Sequence, residues 1–442
     1  MTRRIFLYCL LIVLGSSCTK QDINKPKLDS LLTSLQGNNK AMGSLAISVG
    51  GKVIYSRAFG YRSISENEKK VPDSHTKYRI GSISKMFTAT MIFQLIEEGK
   101  LTLNDRLANW FPELPNAQKI TIGNMLNHRS GLHNFTNDTA YWHYMTRSHT
   151  EAEMAAIFAK QKPDFEPDEK ADYSNTNFVL LGYIVEKITK KTYAKELKER
   201  ITSIIGLNDT YYGDKGSVKN NEAFSYVFAV KWMPMDETDM SIPAGAGAIV
   251  STPNDLTKFI EALFAGKLIS ADHLNMMKTL KDNYGMAMFE MDFNERKGYG
   301  HTGGIDGFRS ILTYFPNEKL AITYCSNGGI YSVNKVRDAA LSIYFNKPFT
   351  MPDFNATQLK PEVLDKYIGI YSSKQIGFKV TITRDNGTLI AQGTNQPQFA
   401  LVPVAQDRFS IDETGIILDF DLAKNRFVLE QGNSETYFTK NK

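Results

Sequence analysis

The stretch from Met86 to Ile96 constrains this chain more than any other segment. Met86, Phe87, Ala89, Met91, Ile92, Phe93, Leu95 and Ile96 precede Gly99. They occupy nearly every side of a helix, which marks a helix buried all round rather than one with a wet face. Gly99 fits its C-terminal stop. The rest of a domain must therefore be assembled around this segment. Its first turn reads Ser82-Ile83-Ser84-Lys85, after Gly81. A lysine entering a buried helix is expensive unless its charge is paired or used. Ser82 and Lys85, three apart, share one side of a helix and come within contact distance. An amine there can perturb or deprotonate a hydroxyl that is otherwise a weak nucleophile. An oxyanion formed beside Ser82 would meet unpaired backbone N–H groups and the positive end of the helix dipole. The spacing alone is unspecific, since Ser17–Lys20 and Ser332–Lys335 repeat it. On these residues alone, a helix N-cap serine beside a snorkelling lysine stays open as the alternative.

The chain opens with Arg3 and Arg4, an apolar run from Ile5 to Leu14, and small residues before Cys18. The run is too short for a spanning helix and reads as an export signal over residues 1–17. Small residues just before a cysteine resemble a bacterial lipoprotein signal, with Cys18 as the lipidated residue. Gly15 departs from that pattern, which usually has a larger aliphatic residue there. Residues 18–26 would form a polar tether. The expected location is the periplasm or cell envelope, at a bacterial membrane. Of three cysteines, Cys9 falls in the signal and Cys18 at the anchor, leaving Cys325 as a small buried hydrophobe without a disulfide partner. The net charge of +5 becomes +3 without Arg3 and Arg4, and no basic stripe is interleaved with aromatics. Nucleic acid is therefore excluded as a partner.

Four hundred and forty-two residues suffice for two domains. Leu28, Leu31, Leu32 and Leu35 recur at helical spacing. Ser44 to Val49 and Lys52 to Ala58 read as a hairpin about Gly50-Gly51. Residues from about 84 to 285 are mostly helical in pattern, with helices expected at Leu101–Trp110, Ile122–Asn127, Glu151–Lys160, Thr176–Thr189 and Thr252–Phe264. Strands are expected at Tyr284–Met288, Gly300–Thr302, Ile311–Phe315 and Leu320–Cys325, then a helix from Val333. One antiparallel sheet built from both ends, flanked by helices and carrying a helical insertion, satisfies this order, an α/β (α+β) domain over residues 27–350. Short alternating segments and the Asp385-Asn386-Gly387 turn make residues 351–442 a small all-β accessory domain of sandwich or barrel kind.

Two further groupings carry chemistry. Tyr173 and Asn175 flank Ser174 ahead of a helix and can project towards one site. A lysine ammonium nearby would lower the phenol's pKa and suit Tyr173 to general-base work, while Asn175 could orient an amide. Residues in a plain turn are the alternative. His301-Thr302-Gly303-Gly304 lies on a strand whose glycines permit close backbone approach. His301 there supplies a polar or cationic group for a substrate carboxylate or for proton transfer; a hairpin histidine is the alternative.

These three motifs, in this order, resemble the signatures of the penicillin-recognising serine enzymes: class C β-lactamases, D-alanyl-D-alanine peptidases, and related esterases and D-aminopeptidases. Thr76 to Lys85 (TKYRIGSISK), Ile120 to Leu132 (ITIGNMLNHRSGL) and Pro243 to Leu256 (PAGAGAIVSTPNDL) add to the resemblance. It implies Ser82 as nucleophile, Lys85 as its proton-transfer partner, Tyr173 as acylation base, and Asn175 as a substrate-amide ligand. His301, Thr302 and Gly303 would bind substrate, and the backbone N–H groups of Ser82 and Gly304 would form the oxyanion hole. Which of Lys85 and Tyr173 takes the serine proton stays open. Histidine in place of the lysine usual in class C β-lactamases points away from efficient β-lactam hydrolysis.

His128 and His133 are five apart with no carboxylate in a zinc pattern, and His143 and His149 lie in a polar loop, so no metal or other cofactor is expected. His128 reads as shaping the site mouth or as a solvated loop residue. The chain is thus expected to be an exported serine hydrolase forming a Ser82 acyl-enzyme on a D-amino-acid peptide or related amide, possible substrates including a cell-wall stem peptide or a β-lactam. A carboxylesterase or β-lactamase on the same site, or a slowly acylating penicillin-binding sensor lipoprotein, are the other readings. Cys18→Ser is expected to leave the protein unlipidated and in the soluble fraction; membrane fractionation indistinguishable from the parent would refute the anchor.

Overall fold

The computed structural model describes residues 23–442 except 217, 229–230, 353, 355–359, 378, 386, 395–397, 412–415, 432–433 and 442. The expected signal, Cys9, Cys18 and most of the tether lie outside the described residues. Two hairpin-forming segments separated by over two hundred residues build the main sheet. The first supplies β1 (Ala41–Val49) and β2 (Lys52–Phe59), turned at Gly50 and Gly51, both at positive φ. The second supplies β3 (Phe289–Glu290), β4 (Tyr299–Ile305), β5 (Phe308–Phe315) and β6 (Leu320–Gly329). The antiparallel order is β3-β4-β5-β6-β1-β2, so β6 pairs with β1 and joins the two ends of the domain.

Both faces of this sheet are covered, and the period-2 alternation of its strands feeds two cores. Ile311, Ile322 and Tyr324 pack with α1 (Lys25–Gly37) and α5 (Val333–Tyr344). Leu312, Ala321 and Cys325 face α2 (Ser84–Glu97), α3 (Asn175–Thr189) and α4 (Pro253–Phe264). α2 is buried from Ser84 to Phe93 without interruption, as its all-round apolar pattern requires. Cys325 is fully buried, and desolvation raises its thiol pKa far above the usual range. It is a core residue, not a reactive one.

Two expectations fail locally. Leu101–Trp110 is not a helix; only Leu107–Asn109 makes a 3-10 turn. Its backbone bonds instead reach across to the following segment, Leu107 N–H to Ile120 O and Ile122 N–H to Asp105 O. Tyr284–Met288 is not a strand, because Asn283 and Ala287 take left-handed φ and turn the chain; the edge strand starts at Phe289.

The last part of the chain is a closed antiparallel barrel of eight strands, β7 (Gly369–Ser372), β8 (Lys379–Asp385), β9 (Thr388–Gly393), β10 (Gln398–Ala405), β11 (Arg408–Ile411), β12 (Ile416–Asp421), β13 (Arg426–Gln431) and β14 (Ser434–Lys440). It has its own aromatic core of Tyr367, Tyr371, Phe409, Phe420, Phe427 and Phe438. Of the two all-β architectures expected, the barrel is the one formed, and closure removes its edges.

Candidate active site

Ser82 sits in a short 3-10 turn, Gly81–Ile83, immediately before α2. That turn is held from two sides. Ile80 N–H donates to Ile249 O at 3.0 Å, tying it to a strand of the small three-stranded sheet. β4 presses on the other side: a Cβ at Gly303 would lie 2.0 Å from Ile80 O, and one at Gly81 would lie 2.7 Å from Gly304 N. Only glycine permits this contact. The third motif therefore reaches the nucleophile turn because there is no side chain at Gly303 or at Gly81. Thr302 is exposed, Gly303 is buried against Ile80, and Gly304 lies in the cavity wall beside Ser82.

Lys85, in the first turn of α2, is 0% exposed. Its Nζ lies 3.0 Å from Ser82 Oγ, 2.8 Å from Asn175 Oδ1 and 2.9 Å from Ala246 O. Three N–H bonds of an ammonium thus find three acceptors. Two of these acceptors are fixed elsewhere. Asn175 begins α3, and its Nδ2 is tied to Thr136 Oγ1 at 3.1 Å and Asn134 Oδ1 at 3.3 Å. Its own N–H donates to the same Asn134 oxygen. Ala246 belongs to the turn Ala244–Gly247, which packs on α3 where Gly245 and Gly182 meet backbone to backbone. Asn175 is thereby committed at both ends of its amide, and in this arrangement it orients Lys85.

Burial decides the charges. Desolvation lowers the Lys85 pKa well below the ordinary lysine value, because the charged form has lost its water. Tyr173 moves the opposite way. It stands beside Ser82, and desolvation raises its pKa above the ordinary range. The expected lowering of Tyr173 by the ammonium does not occur. Lys85 Nζ lies over the ring face, 4.9 Å from the centroid.

His301 also differs from expectation. It is 2% exposed, packed edge-on to Phe289 at 4.8 Å and near Tyr173 at 6.3 Å. Its Nδ1 engages Thr302 O, and its Nε2 has no partner among the described residues. Desolvation first, and the Lys85 charge second, push its pKa down to about 3. A cationic role for His301 is thereby corrected: burial keeps the ring neutral. His128 is neither at a mouth nor solvated. It is 1% exposed beneath Tyr173, where burial also depresses its pKa. His133 lies between Asp164 and Asp138 in the loop that continues to Asn134.

The site opens into a cavity of ≈ 270 Å³ walled by apolar groups, among them Phe135, Tyr141, Trp142, Met145, Ile242 and Ile305, with Ser82, Asn175 and Gly304 at its edge. The acidic group in the wall, Asp306, is neutralised: Arg79 approaches it at 3.3 Å and Thr238 Oγ1 donates to it at 2.6 Å. No lysine, arginine or histidine lines this cavity among the described residues. A larger cleft of ≈ 920 Å³ lies away from it, between the Gly50–Gly51 turn and α4, and Ser82 and Lys85 take no part in it. Asn134, Thr136 and the Ala246 carbonyl belong to the site but carry no motif that spacing could have revealed.

The neutral His301 has a consequence for stability. Its pKa is about 3 when folded and about 6.5 when unfolded, so only the unfolded state takes up this proton between those values. Its contribution is complete above pH 6.5 and is lost as pH falls, at about 1.4 kcal/mol per pH unit. His301→Asn should therefore show a shallower decline of unfolding free energy between pH 6 and 4 in denaturant titrations. Parallel declines for parent and variant would contradict the assignment.

Residues 28–344 match the family model Beta-lactamase. Penicillin-binding protein 4* of Bacillus subtilis (strain 168) is 28% identical, the alignment covering 93% of this chain and 98% of that protein. Teichoic acid D-alanine hydrolase of Staphylococcus aureus is 26% identical over 72% of this chain and 76% of its own length. The crystal structure of D-amino acid amidase from Ochrobactrum anthropi SV3 complexed with D-phenylalanine superposes with a TM-score of 0.65 at 26% identity, covering 73% of this chain and 98% of that one. The motifs, the fold and these likenesses agree, and the chain belongs to the Beta-lactamase family as one of its serine hydrolases.

Proposed function

We propose that this hydrolase cleaves amide or peptide bonds on the carbonyl side of a D-amino acid through a Ser82 acyl-enzyme. The observation that carries the reading is Ser82, hydrogen-bonded to a buried lysine of lowered pKa, at the edge of an apolar cavity without a cation in its wall. Neutral Lys85 keeps two N–H bonds to Asn175 and Ala246 and turns its lone pair to Ser82 Oγ. As Oγ attacks the substrate carbonyl carbon, its proton moves to Nζ, and the oxyanion lies by the Ser82 and Gly304 N–H groups. Collapse breaks the C–N bond, and the leaving amine takes the proton from Nζ. Water then attacks the acyl-enzyme, releases the carboxylate and returns the proton to Ser82. Tyr173, kept neutral by burial, stands beside Ser82 and Lys85 through these steps.

The cavity favours one branch of the expected substrates. A carboxypeptidase must hold the free carboxylate of its substrate, and neutral, buried His301 is not equipped to do so. D-amino acid amides and the N-terminal D-residues of peptides make no such demand, and their side chains suit apolar walls. The D-amino acid amidase with D-phenylalanine and the D-alanine hydrolase among the relatives support this class. Export and a lipid anchor at Cys18 complete the proposal, supported by the N-terminal sequence.

Release of ammonia from D-phenylalanine amide and D-alanine amide, alongside their L forms and D-alanyl-D-alanine, tests this reading. The D amides should be hydrolysed, with kcat/KM about tenfold or more above both comparisons, a difference of about 1.4 kcal/mol. Ser82→Ala should lower kcat about 10⁴-fold or more. Preferential turnover of D-alanyl-D-alanine, or activity surviving in Ser82→Ala, would overturn it.

A further inference from the structure

One buried residue gathers its contacts on Tyr173 from three sides. His128 follows the helical segment Ile122–Leu126 with φ +58°, in the left-handed region. Its carbonyl accepts the N–H of Asp172 at 2.9 Å. Its Nδ1 accepts the N–H of Ser174 at 3.1 Å. Its ring stacks on the Tyr173 ring, 4.5 Å between centroids and 27° between planes. Residues 172, 173 and 174 are thus each held by the same histidine. Tyr284 and Phe178 close around its ring at 5.4 and 5.3 Å.

We propose that His128 is the positioning residue of Tyr173, its ring acceptor and stacking face fixing where the phenolic hydroxyl stands beside Ser82 and Lys85. This rests on the reading that Ser82 is acylated with Tyr173 at its side. Packing alone does not account for a histidine here. Its Nε2 is buried with no partner among the described residues, an expense that an apolar side chain of similar size would avoid. The left-handed φ is a further expense for a residue with a bulky side chain. What histidine supplies is an acceptor at Nδ1, which must be unprotonated to receive the Ser174 N–H, so the ring proton sits on Nε2. Burial favours that neutral ring.

The test is a double-mutant cycle on acyl-enzyme formation, followed by intact mass with D-phenylalanine p-nitroanilide and with a fluorescent penicillin. His128→Leu should slow acylation about ten- to a hundredfold, the scale of a misplaced catalytic group, with KM within about twofold. In a Tyr173→Phe background the same change should have little further effect, because it acts through that hydroxyl. His128→Asn, whose carbonyl oxygen reaches the Nδ1 position and which accepts left-handed φ, should recover acylation to within about fivefold of the parent. His128→Gln, whose oxygen reaches instead towards Nε2, should not, and the Asn–Gln pair stands in if the leucine variant fails to fold. Independent, multiplicative losses in the cycle, or equal losses for Asn and Gln, would overturn the proposal while leaving the Ser82 reading intact. A parent that forms no adduct beyond that of Ser82→Ala would overturn the reading and the proposal with it.

Discussion

Everything in this site depends on one buried amine. Lys85 Nζ joins three parts of the chain that are remote in sequence: the nucleophile turn through Ser82, the start of α3 through Asn175, and the turn before α4 through Ala246. A lysine with no exposed surface is tolerable only when its donors are met or its proton is lost. The structure provides for both states. Two acceptors are immobilised by their own neighbours, and the third direction points at the hydroxyl that is to be activated. The glycine contacts at Gly303 and Gly245 matter for the same reason, since they bring β4 and the Ala244–Gly247 turn close enough for these distances to exist.

One physical cause, desolvation, sets the protonation of the whole group. It lowers Lys85, His128 and His301, which are cations when protonated, and raises Tyr173, which is an anion when deprotonated. The site is thereby biased towards neutral forms. A neutral lysine beside a serine hydroxyl can accept a proton, whereas a phenol of raised pKa can only hydrogen-bond. That asymmetry separates the two residues that spacing alone left equivalent, and it is the ground for proposing Lys85 as the proton acceptor. The same dryness keeps His301 neutral, and the cavity beside Ser82 has no cation in its wall among the described residues.

Much of this was legible in the residues. The all-round apolar run of α2 announced a buried helix, and a lysine in its first turn announced that something would have to compensate. The Gly50-Gly51 hairpin, the leucine stripe of α1 and the strands from Ile311 to Cys325 followed from periods of 2 and 3.6. Ser82, Tyr173 and His301 were singled out by the resemblance of three motifs in order to the family signatures, not by the spacing of any one of them. Other features were not legible, for reasons that can be named. The pKa directions of Tyr173 and His301 depend on burial by β3 and α3, which no local window contains. Ala246 contributes a carbonyl, a group every residue has. His128 looked like a loop histidine because its left-handed φ and its partners at 172–174 arise only on folding. Leu101–Trp110 has helical spacing but sends its backbone bonds sideways to Ile120.

The central claim is that burial makes Lys85 the base that activates Ser82, and its proton can be watched directly. Lysine labelled with ¹³C at Cε, with the Lys85 signal assigned by its absence in Lys85→Arg, reports that ionisation by NMR as pH is varied. The account predicts that Lys85 titrates well below the ordinary lysine range, apart from the surface lysines, while Tyr173 stays protonated throughout. A Lys85 signal that titrates together with the surface lysines would contradict it.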